Sequence, residues 1–291
     1  MRFLGIFKMW ARALRINQWP KNALIGVPLV SGHLLFDFVR LKMALILFLA
    51  FSLLASGNYL INDLLDRHDD QSHPHKKSRP VATGCIPKWA VIFVSLLCMA
   101  MGLGLGSLLS FSTVIILLAY LVMAIVYSMI IKKMILWDVG WLSGLYTIRV
   151  MAGHVGLDVP YSGWLLGFAA FFFFGLAILK RCVDISAVTI RMSRRGYFPA
   201  DIGMLSHFGI ASGYMSVLVM ALYITSDAVK ILYTYPAFLW LLCPCIMWWI
   251  SRLWFRFHRD QLTIDPLQFA LRDPPTYAMI LYLITIIWVA T

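Results

Sequence analysis

The 291-residue chain contains no glutamate, and charged residues of all kinds make up only 13% of it. Soluble domains carry about 25% charged residues, so this composition excludes an ordinary soluble enzyme. The five cysteines are odd in number and indicate neither a disulfide framework nor a zinc site. No short apolar core with a small-residue cleavage site opens the chain, so we expect no cleavable signal peptide. The scarcity of charge predicts a membrane protein.

Apolar residues are correspondingly abundant, at 61% of the chain with a mean hydropathy of +0.82. A membrane-spanning helix needs about 20 such residues. Nine segments approach or reach that length, near 22–36, 41–62, 88–109, 111–131, 138–156, 161–180, 204–225, 235–255 and 277–290. The sequence therefore predicts an all-α polytopic membrane protein with a bundle of nine transmembrane helices.

The basic residues alternate in density from one predicted loop to the next. If the N-terminus is cytoplasmic, most of the 25 Lys and Arg residues fall on the cytoplasmic side, as the positive-inside rule requires. This pattern predicts a bacterial-type inner or plasma membrane protein with a cytoplasmic N-terminus. It also accounts for the net charge of +12, so we expect no nucleic-acid partner.

The predicted domain organisation is simple. Residues 1–21 place aromatic side chains among Arg and Lys, a pattern typical of an amphipathic helix on the cytoplasmic membrane surface. Residues 22–291 are predicted to form one transmembrane domain. Three large cytoplasmic loops, about 63–87, 181–203 and 256–276, are expected to form a cap that holds the functional site.

The most informative segment is residues 62–70, Asn-Asp-Leu-Leu-Asp-Arg-His-Asp-Asp, at the end of a long apolar run. Asp63, Asp66 and Asp70 are spaced i, i+3 and i+7, which places them within about 60° of arc on a helix. Three carboxylates on one face offer the oxygen ligands that Mg²⁺ prefers, together with substrate phosphates. We therefore predict a magnesium site with these aspartates as ligands and catalytic residues. The alternative is a solvated helix end.

Cations follow this acidic segment closely. Lys77 and Arg79 are predicted to bind substrate phosphate oxygens beside the metal, and their alternative role is to anchor the cytoplasmic loop. His68, His73 and His75 are disfavoured as transition-metal ligands, because no cysteine or helix-spaced histidine pair accompanies them.

Two further cations lie where charge is costly. Lys21, at the foot of the first predicted span, either extends its amine to the interface or reaches into a cytoplasmic cavity. Arg149 lies in the middle of a predicted span, where a charge usually faces a cavity or a partner. Asp138 lies on the same face of the same predicted helix.

A third polar group closes the sixth predicted span. Lys180 and Asp184, spaced i and i+4, form either a local ion pair or, together with Arg181, the opposite half of the phosphate site. The residues alone leave both interpretations open.

The pattern N-D-x-x-D-x-x-x-D, formed by Asn62, Asp63, Asp66 and Asp70, resembles the first aspartate-rich motif of the UbiA superfamily of intramembrane prenyltransferases. The resemblance extends over nearly the whole chain. It implies nine helices around a central cavity that opens to lipid, cytoplasmic cap loops, Mg²⁺ at the aspartates, and a polyprenyl phosphate or diphosphate as substrate.

The second motif of that superfamily, D-x-x-x-D, corresponds here to residues 180–184, where Lys180 replaces the first aspartate. This departure resembles the polyprenyl-phosphate phosphoribosyltransferase branch, as do residues 15–22, 73–80 and 269–273. The resemblance implies transfer of 5-phosphoribosyl from phosphoribosyl diphosphate to a polyprenyl phosphate, with release of pyrophosphate. The residues expected to bind these substrates are Asn62, Lys21, Lys77, Arg79, Arg149, Lys180, Arg181 and Asp184.

Two other functions remain open. A prenyltransferase of the same fold would move a prenyl group to an aromatic or another small acceptor. A transporter or a lipid-binding scaffold is disfavoured, because transporters place ionisable residues near the midplane and often show repeats. The isoprenoid length, the acceptor and the oligomeric state are not determined by the sequence.

Overall fold

The computed structural model describes residues 2–71, 76–187 and 196–291, and these residues form helices and connecting loops with no β-strand. The α-helices, in chain order, are α1 Arg2–Ala13, α2 Val27–Ser31, α3 Phe38–Leu65, α4 Arg67–Gln71, α5 Lys88–Ser107, α6 Phe111–Met129, α7 Trp137–Gly156, α8 Gly163–Ser186, α9 Ile202–Thr225, α10 Asp227–Leu232, α11 Leu242–His258, α12 Pro266–Ala270 and α13 Pro274–Ala290. Short 3₁₀ helices lie at Ile16–Gly26, Lys76–Ser78, Ile131–Lys133, Pro199–Asp201 and Pro236–Leu241.

Six helical segments in the described residues are long and apolar enough to cross a membrane: Phe38–Leu65, Lys88–Ser107, Phe111–Met129, Gly163–Ser186, Pro199–Thr225 and Pro236–His258. Each agrees with a predicted span. Helix α13 is apolar but has only 17 residues. Helix α7 has 20 residues and carries Asp138 and Arg149. The all-α membrane architecture is thus observed, and the count of nine spans stays a prediction.

The first predicted span, 22–36, differs from expectation. Its residues are divided between the 3₁₀ segment Ile16–Gly26 and the five-residue helix α2. Pro20 lies inside the 3₁₀ segment and Pro28 inside α2. Proline lacks the backbone N–H and disfavours an α-helical residue before it, so two prolines in this short stretch prevent one continuous spanning helix.

The chain divides into two compact units, and the first comprises Met1–Leu29, Leu34–Ser128 and Ala152–Val159. In this unit α3 packs closely against α5. A side-chain Cβ at Gly102 of α5 would lie 2.8 Å from the carbonyl oxygen of Ala50 on α3. Ser95 of α5 donates a hydrogen bond of 2.8 Å to the carbonyl of Gly57 on α3. Small residues therefore let the two helices approach each other, as in many membrane bundles.

Helix α1 is fixed to the same unit through its apolar face. Ala13 is buried, with 1% of its surface exposed, and belongs to a cluster with core residues of α3, the following loop and α5. The other buried members are Leu60, Val81, Ile86 and Val91, and the partly buried members are Met9, Trp10, Leu14, Leu64, Ala90 and Val94. Within the predicted segment 1–21, an α-helix covers Arg2–Ala13 and packs against protein, and a 3₁₀ helix begins at Ile16. The division at residue 21 stays a prediction.

The second unit comprises Val30–His33, Met129–Met151 and Pro160–Thr291. Here α9 packs against both α8 and α11. The rings of Phe172 on α8 and Trp249 on α11 stack with centroids 5.7 Å apart. Helices α8, α9 and α11 thus form a packed core. Residues 180–184 lie at the end of α8 that is predicted to be cytoplasmic.

The start of α13 is held by a charged cap. Asp273 accepts hydrogen bonds from the backbone N–H of Thr276 at 3.1 Å and from both terminal nitrogens of Arg252 at 2.7 and 2.8 Å. The Arg252 guanidinium, helped by Thr276, holds the pKa of the Asp273 carboxyl at about 2. The stretch 269–273, one of those that resemble the phosphoribosyltransferase branch, therefore ends at the N-cap of α13.

We expect Gly175→Ala to destabilise the second unit. A Cβ there would lie 2.9 Å from the carbonyl oxygen of Gly209 and 3.2 Å from the backbone nitrogen of Gly213, so α8 and α9 would have to separate. Overpacking of this kind costs about 1–3 kcal/mol. Gly167→Ala is the matched control, because its Cβ would meet only the Val219 side chain, at 3.7 Å. Equal melting temperatures for the two variants in detergent would contradict this expectation.

Candidate active site

Asp63 lies in the last turn of α3 and is almost completely buried, with 3% of its side chain exposed. Its carboxylate accepts a charge-assisted hydrogen bond from Arg15 and one of 3.1 Å from Arg79. The same Arg79 nitrogen donates to Asp70 at 2.6 Å. Arg79 thus bridges two of the three predicted carboxylates, and Asp63 receives two guanidinium groups.

Asp66 is placed differently from its two neighbours. Helix α3 ends at Leu65, and Asp66 follows as the capping residue with φ −85° and ψ 5°. Its carboxylate accepts a hydrogen bond of 3.1 Å from the Asn62 side-chain amide. The backbone N–H of Asp70 still donates to the Asp66 carbonyl at 2.8 Å, so the helical turn continues into α4. The spacing of the aspartates predicts a helical turn over these residues. It does not predict that α3 ends at Leu65.

The donor chemistry at this position fits a hard divalent cation. The carboxylate oxygens of Asp63, Asp66 and Asp70 and the amide oxygen of Asn62 are the ligand types that Mg²⁺ prefers. Within the described residues, no three Asp, His or Cys side chains lie close enough together to bind one metal ion. Instead, Arg15 and Arg79 supply positive charge at the two carboxylates. The assignment of the aspartates as ligands stays a prediction.

Arg15 contacts Asp63, a contact that the sequence does not predict, because Arg15 enters there only through the family-like stretch 15–22. It adopts the left-handed conformation, with φ 51° and ψ 47°, at the junction of α1 and the following 3₁₀ helix. Its guanidinium also lies 4.8 Å from the ring centroid of Tyr59. Non-glycine residues rarely adopt this conformation, and when they do a functional constraint is common.

The segment after Arg15 is tied to α3 by side-chain hydrogen bonds. Trp19 donates to the Ser56 hydroxyl at 2.9 Å, and Asn22 donates to the Ser52 hydroxyl at 3.0 Å. Trp19 therefore positions this part of the chain beside α3. Lys21 is buried, with 8% of its surface exposed, and its predicted roles, an amine at the interface or in a cytoplasmic cavity, stay predictions.

A cavity of about 690 Å³ opens beside these groups. Its charged lining consists of four cations and one carboxylate: Lys8, Arg12, Arg15, Arg79 and Asp63. The remaining lining residues are Phe7, Ala11, Ile16, Asn17 and Gln18. A concave surface with this excess of positive charge attracts anions.

The other predicted residues of this region are less involved. Lys77 lies on the 3₁₀ turn Lys76–Ser78 and is exposed, and His68 is exposed on α4. His73 and His75 lie outside the described residues. His68 belongs to no metal-binding cluster within the part of the chain that the structure describes.

In the second unit, Arg181 is the centre of a buried ionic network. It is 2% exposed and forms ion pairs with Asp138, which is fully buried, and with Asp184 at 3.0 Å. The Tyr197 hydroxyl donates to Asp138 at 2.6 Å and accepts from the backbone N–H of Leu136 at 2.8 Å. Burial and the neighbouring Asp138 raise the pKa of Tyr197, so the phenol keeps the proton that it donates. Tyr197 was not expected here.

Lys180 has a partner that the sequence did not indicate. Its amine lies 3.0 Å from the carboxylate of Asp265. Asp265 also caps α12, accepting from the backbone N–H groups of Leu267 and Gln268 at 3.0 and 3.4 Å. The predicted loop 256–276 is thus joined to the end of α8. Asp184, the other member of the predicted local ion pair, contacts Arg181 instead.

Arg149 is 5% exposed and finds partners on its own helix. Its guanidinium donates a hydrogen bond to the Leu145 carbonyl and lies 5.5 Å from the ring centroid of Tyr146. These contacts offset part of the cost of a buried charge. A role for Arg149 in substrate binding stays a prediction, as does the prediction that residues 180–184 and the aspartates form two halves of one site.

Residues 23–271 match the UbiA prenyltransferase family. An uncharacterised protein, y4nM of Sinorhizobium fredii, is 35% identical over 275 residues, which are 93% of this chain and 53% of that protein. The chain therefore spans about half the length of this relative. A decaprenyl-phosphate phosphoribosyltransferase of Mycobacterium tuberculosis is 31% identical over 195 residues, 64% of this chain and 65% of that enzyme.

The fold is similar to a solved structure of a UbiA homologue from Archaeoglobus fulgidus bound to GPP and Mg²⁺. The two share 16% sequence identity and a TM-score of 0.72, over 97% of this chain and 99% of the other. At this identity the likeness shows the fold. It agrees with the all-α architecture expected from the aspartate motif.

Proposed function

The chain belongs to the UbiA prenyltransferase family of integral membrane transferases, and on this premise we propose that it transfers 5-phosphoribosyl from phosphoribosyl diphosphate to a polyprenyl phosphate. Pyrophosphate is the second product. We further propose that Asp63, Asp66 and Asp70 hold Mg²⁺ at the cytoplasmic face. The bias of Lys and Arg towards the cytoplasmic loops supports this orientation.

The observation that carries the proposal is the cationic cavity at Asp63, where Lys8, Arg12, Arg15 and Arg79 surround one buried carboxylate. A prenyl diphosphate carries charge only on its diphosphate. Phosphoribosyl diphosphate carries a further phosphate at the other end of a polar sugar. A cavity with four cations is matched in charge to the more anionic, water-soluble donor.

Two further observations support the same reaction. Lys180 replaces the aspartate that the family's second motif usually supplies, which removes a carboxylate ligand and adds a cation. The Mycobacterium tuberculosis relative is named for the transfer of phosphoribosyl to decaprenyl phosphate. The Lys180 ammonium pairs with Asp265, and the Arg181 guanidinium pairs with Asp138.

The chain's own residues then have definite roles. Arg15 and Arg79, oriented by Asp63 and Asp70, bind the oxygens of the diphosphate and stabilise its charge as it leaves. Mg²⁺ bound at the aspartates would supply further neutralisation of this leaving group. The bond from ribose C1 to the diphosphate oxygen breaks, and a bond from C1 to the lipid phosphate oxygen forms. The lipid phosphate is already an anionic nucleophile, so the step needs no general base.

The proposal is tested with the purified full chain in lipid nanodiscs containing a polyprenyl phosphate. Labelled phosphoribosyl diphosphate and Mg²⁺ are expected to give a lipid-linked ribose phosphate and one pyrophosphate for each product molecule. A parallel reaction with geranyl diphosphate and an aromatic acceptor is expected to give no prenylated product. Pyrophosphate release without the ribose-bearing lipid would contradict the proposed reaction.

The second candidate is prenyl transfer from a prenyl diphosphate to an aromatic or another small acceptor. It is favoured by the similarity in fold to the UbiA homologue bound to GPP and Mg²⁺. In the nanodisc experiment this function would give the opposite result, a prenylated acceptor with no transfer of the ribose label.

A further inference from the structure

Helix α1 contributes more to the Asp63 cavity than its amphipathic sequence indicates. Four of the cavity's lining residues, Phe7, Lys8, Ala11 and Arg12, belong to α1. Lys8 and Arg12 are spaced i and i+4, so they lie one above the other on the same helix face. This face is directed to the cavity that also contains Asp63.

The position of α1 is set by packing on its other face. Trp10, Ala13 and Leu14 contact the apolar cluster formed with α3 and α5. The hydroxyl of Ser56 on α3 also donates to the Leu14 carbonyl at 2.7 Å. Because one side of α1 packs against the protein core, its opposite face lies at a defined distance from the site. A helix bound only to the lipid surface would not be positioned in this way.

Two of the four cations that line the cavity form ion pairs with carboxylates, and the other two do not. Arg15 and Arg79 are engaged with Asp63 and, for Arg79, with Asp70. Lys8 and Arg12 are exposed, and no ion pair joins either of them to a carboxylate in the residues that the structure describes. No carboxylate of the described residues therefore neutralises these two charges, which line a concave surface rich in cations.

We propose that α1 is a wall of the substrate site and that Lys8 and Arg12 bind phosphate oxygens of a water-soluble, multiply phosphorylated co-substrate. This inference rests on the proposed function and adds to it the residues that select such a donor. Both residues precede residue 23, where the match to the family begins. The N-terminal helix therefore gives this chain phosphate-binding groups in addition to those of the shared transmembrane domain.

The test compares Lys8→Gln, Arg12→Gln and the control Lys88→Gln in the purified full chain. Lys88 is an exposed cation at the start of α5 in the same unit, and it does not line the cavity. Calorimetry with Mg²⁺ measures the binding of two probes, phosphoribosyl diphosphate and inorganic pyrophosphate. Each α1 variant is expected to weaken binding of phosphoribosyl diphosphate by about tenfold or more, as for other charge-assisted hydrogen bonds. The control is expected to bind as the wild type does.

Unchanged binding in both α1 variants would overturn the inference, even if the wild-type chain makes the ribose-bearing lipid. If that product is absent but both α1 variants bind pyrophosphate more weakly, the proposed reaction fails and the phosphate-binding role of α1 stands. The measurements are made in nanodiscs of phosphatidylcholine alone and of phosphatidylcholine mixed with phosphatidylglycerol. An effect seen only with the anionic lipid would assign Lys8 and Arg12 to lipid headgroups and reject the proposal.

Discussion

Asp63→Asn is expected to reduce turnover by about 10³-fold, the upper range for loss of one electrostatic catalytic group. The buried carboxylate accepts from Arg15 and Arg79 and is the central proposed Mg²⁺ ligand. Asparagine keeps the shape of the side chain and one oxygen acceptor, but it removes the negative charge that attracts the metal and orients both guanidinium groups. The initial rate of pyrophosphate release at saturating substrate measures the effect.

Asp227→Asn is the matched control for this experiment. Asp227 is 91% exposed and pairs with Lys230 on the short helix α10, so its loss should leave the rate unchanged. A melting temperature for Asp63→Asn close to that of the wild type would show that the chain remains folded. If turnover and its Mg²⁺ dependence both persist in Asp63→Asn and in Asp66→Asn, the enzymatic interpretation is wrong and a transporter or scaffold becomes preferable.

Asp138→Ala is expected to lower the free energy of unfolding by about 3–5 kcal/mol, the usual result of removing one partner from a buried ion pair. Asp138 is fully buried against Arg181, which is 2% exposed. Without the carboxylate, a guanidinium remains inside the second unit, and the Tyr197 hydroxyl loses its acceptor. Chemical denaturation in detergent, followed by tryptophan fluorescence, measures this change.

Asp184→Ala removes the other carboxylate that contacts Arg181, at a position that is 47% exposed. Because the Asp184 carboxylate is about half exposed and screened by solvent, this variant should be destabilised much less than Asp138→Ala. The double variant Asp138→Ala with Arg181→Met is expected to be more stable than Asp138→Ala alone, because it leaves no unpaired buried charge. A denaturation midpoint for Asp138→Ala equal to that of Asp184→Ala would show that the buried pair does not stabilise the fold.

The sequence by itself determined the membrane class and the positions of the long helices. Lipid cannot satisfy backbone hydrogen bonds, so long apolar runs must be helical. The predicted spans 88–109 and 111–131 correspond to α5 and α6 within about one turn. The spacing of Asp63 and Asp70 likewise placed two carboxylates on one side of a helical turn, and both contact Arg79. Local periodicity is sufficient for such features because they involve residues only a few positions apart.

Only the tertiary structure decided how the charges are paired. The contacts of Arg15 with Asp63 and of Tyr197 with Asp138 join residues 48 and 59 positions apart. Helical periodicity carries no information on such pairs, because they depend on how separate helices and loops pack. For this reason the aspartate motif looked like a metal site formed by one helix. In the folded chain, Asp63 is part of a cavity whose cations come from α1, the turn after it and the loop that carries Arg79. The carboxylates could be predicted from one segment, whereas packing brings together the cations around Asp63.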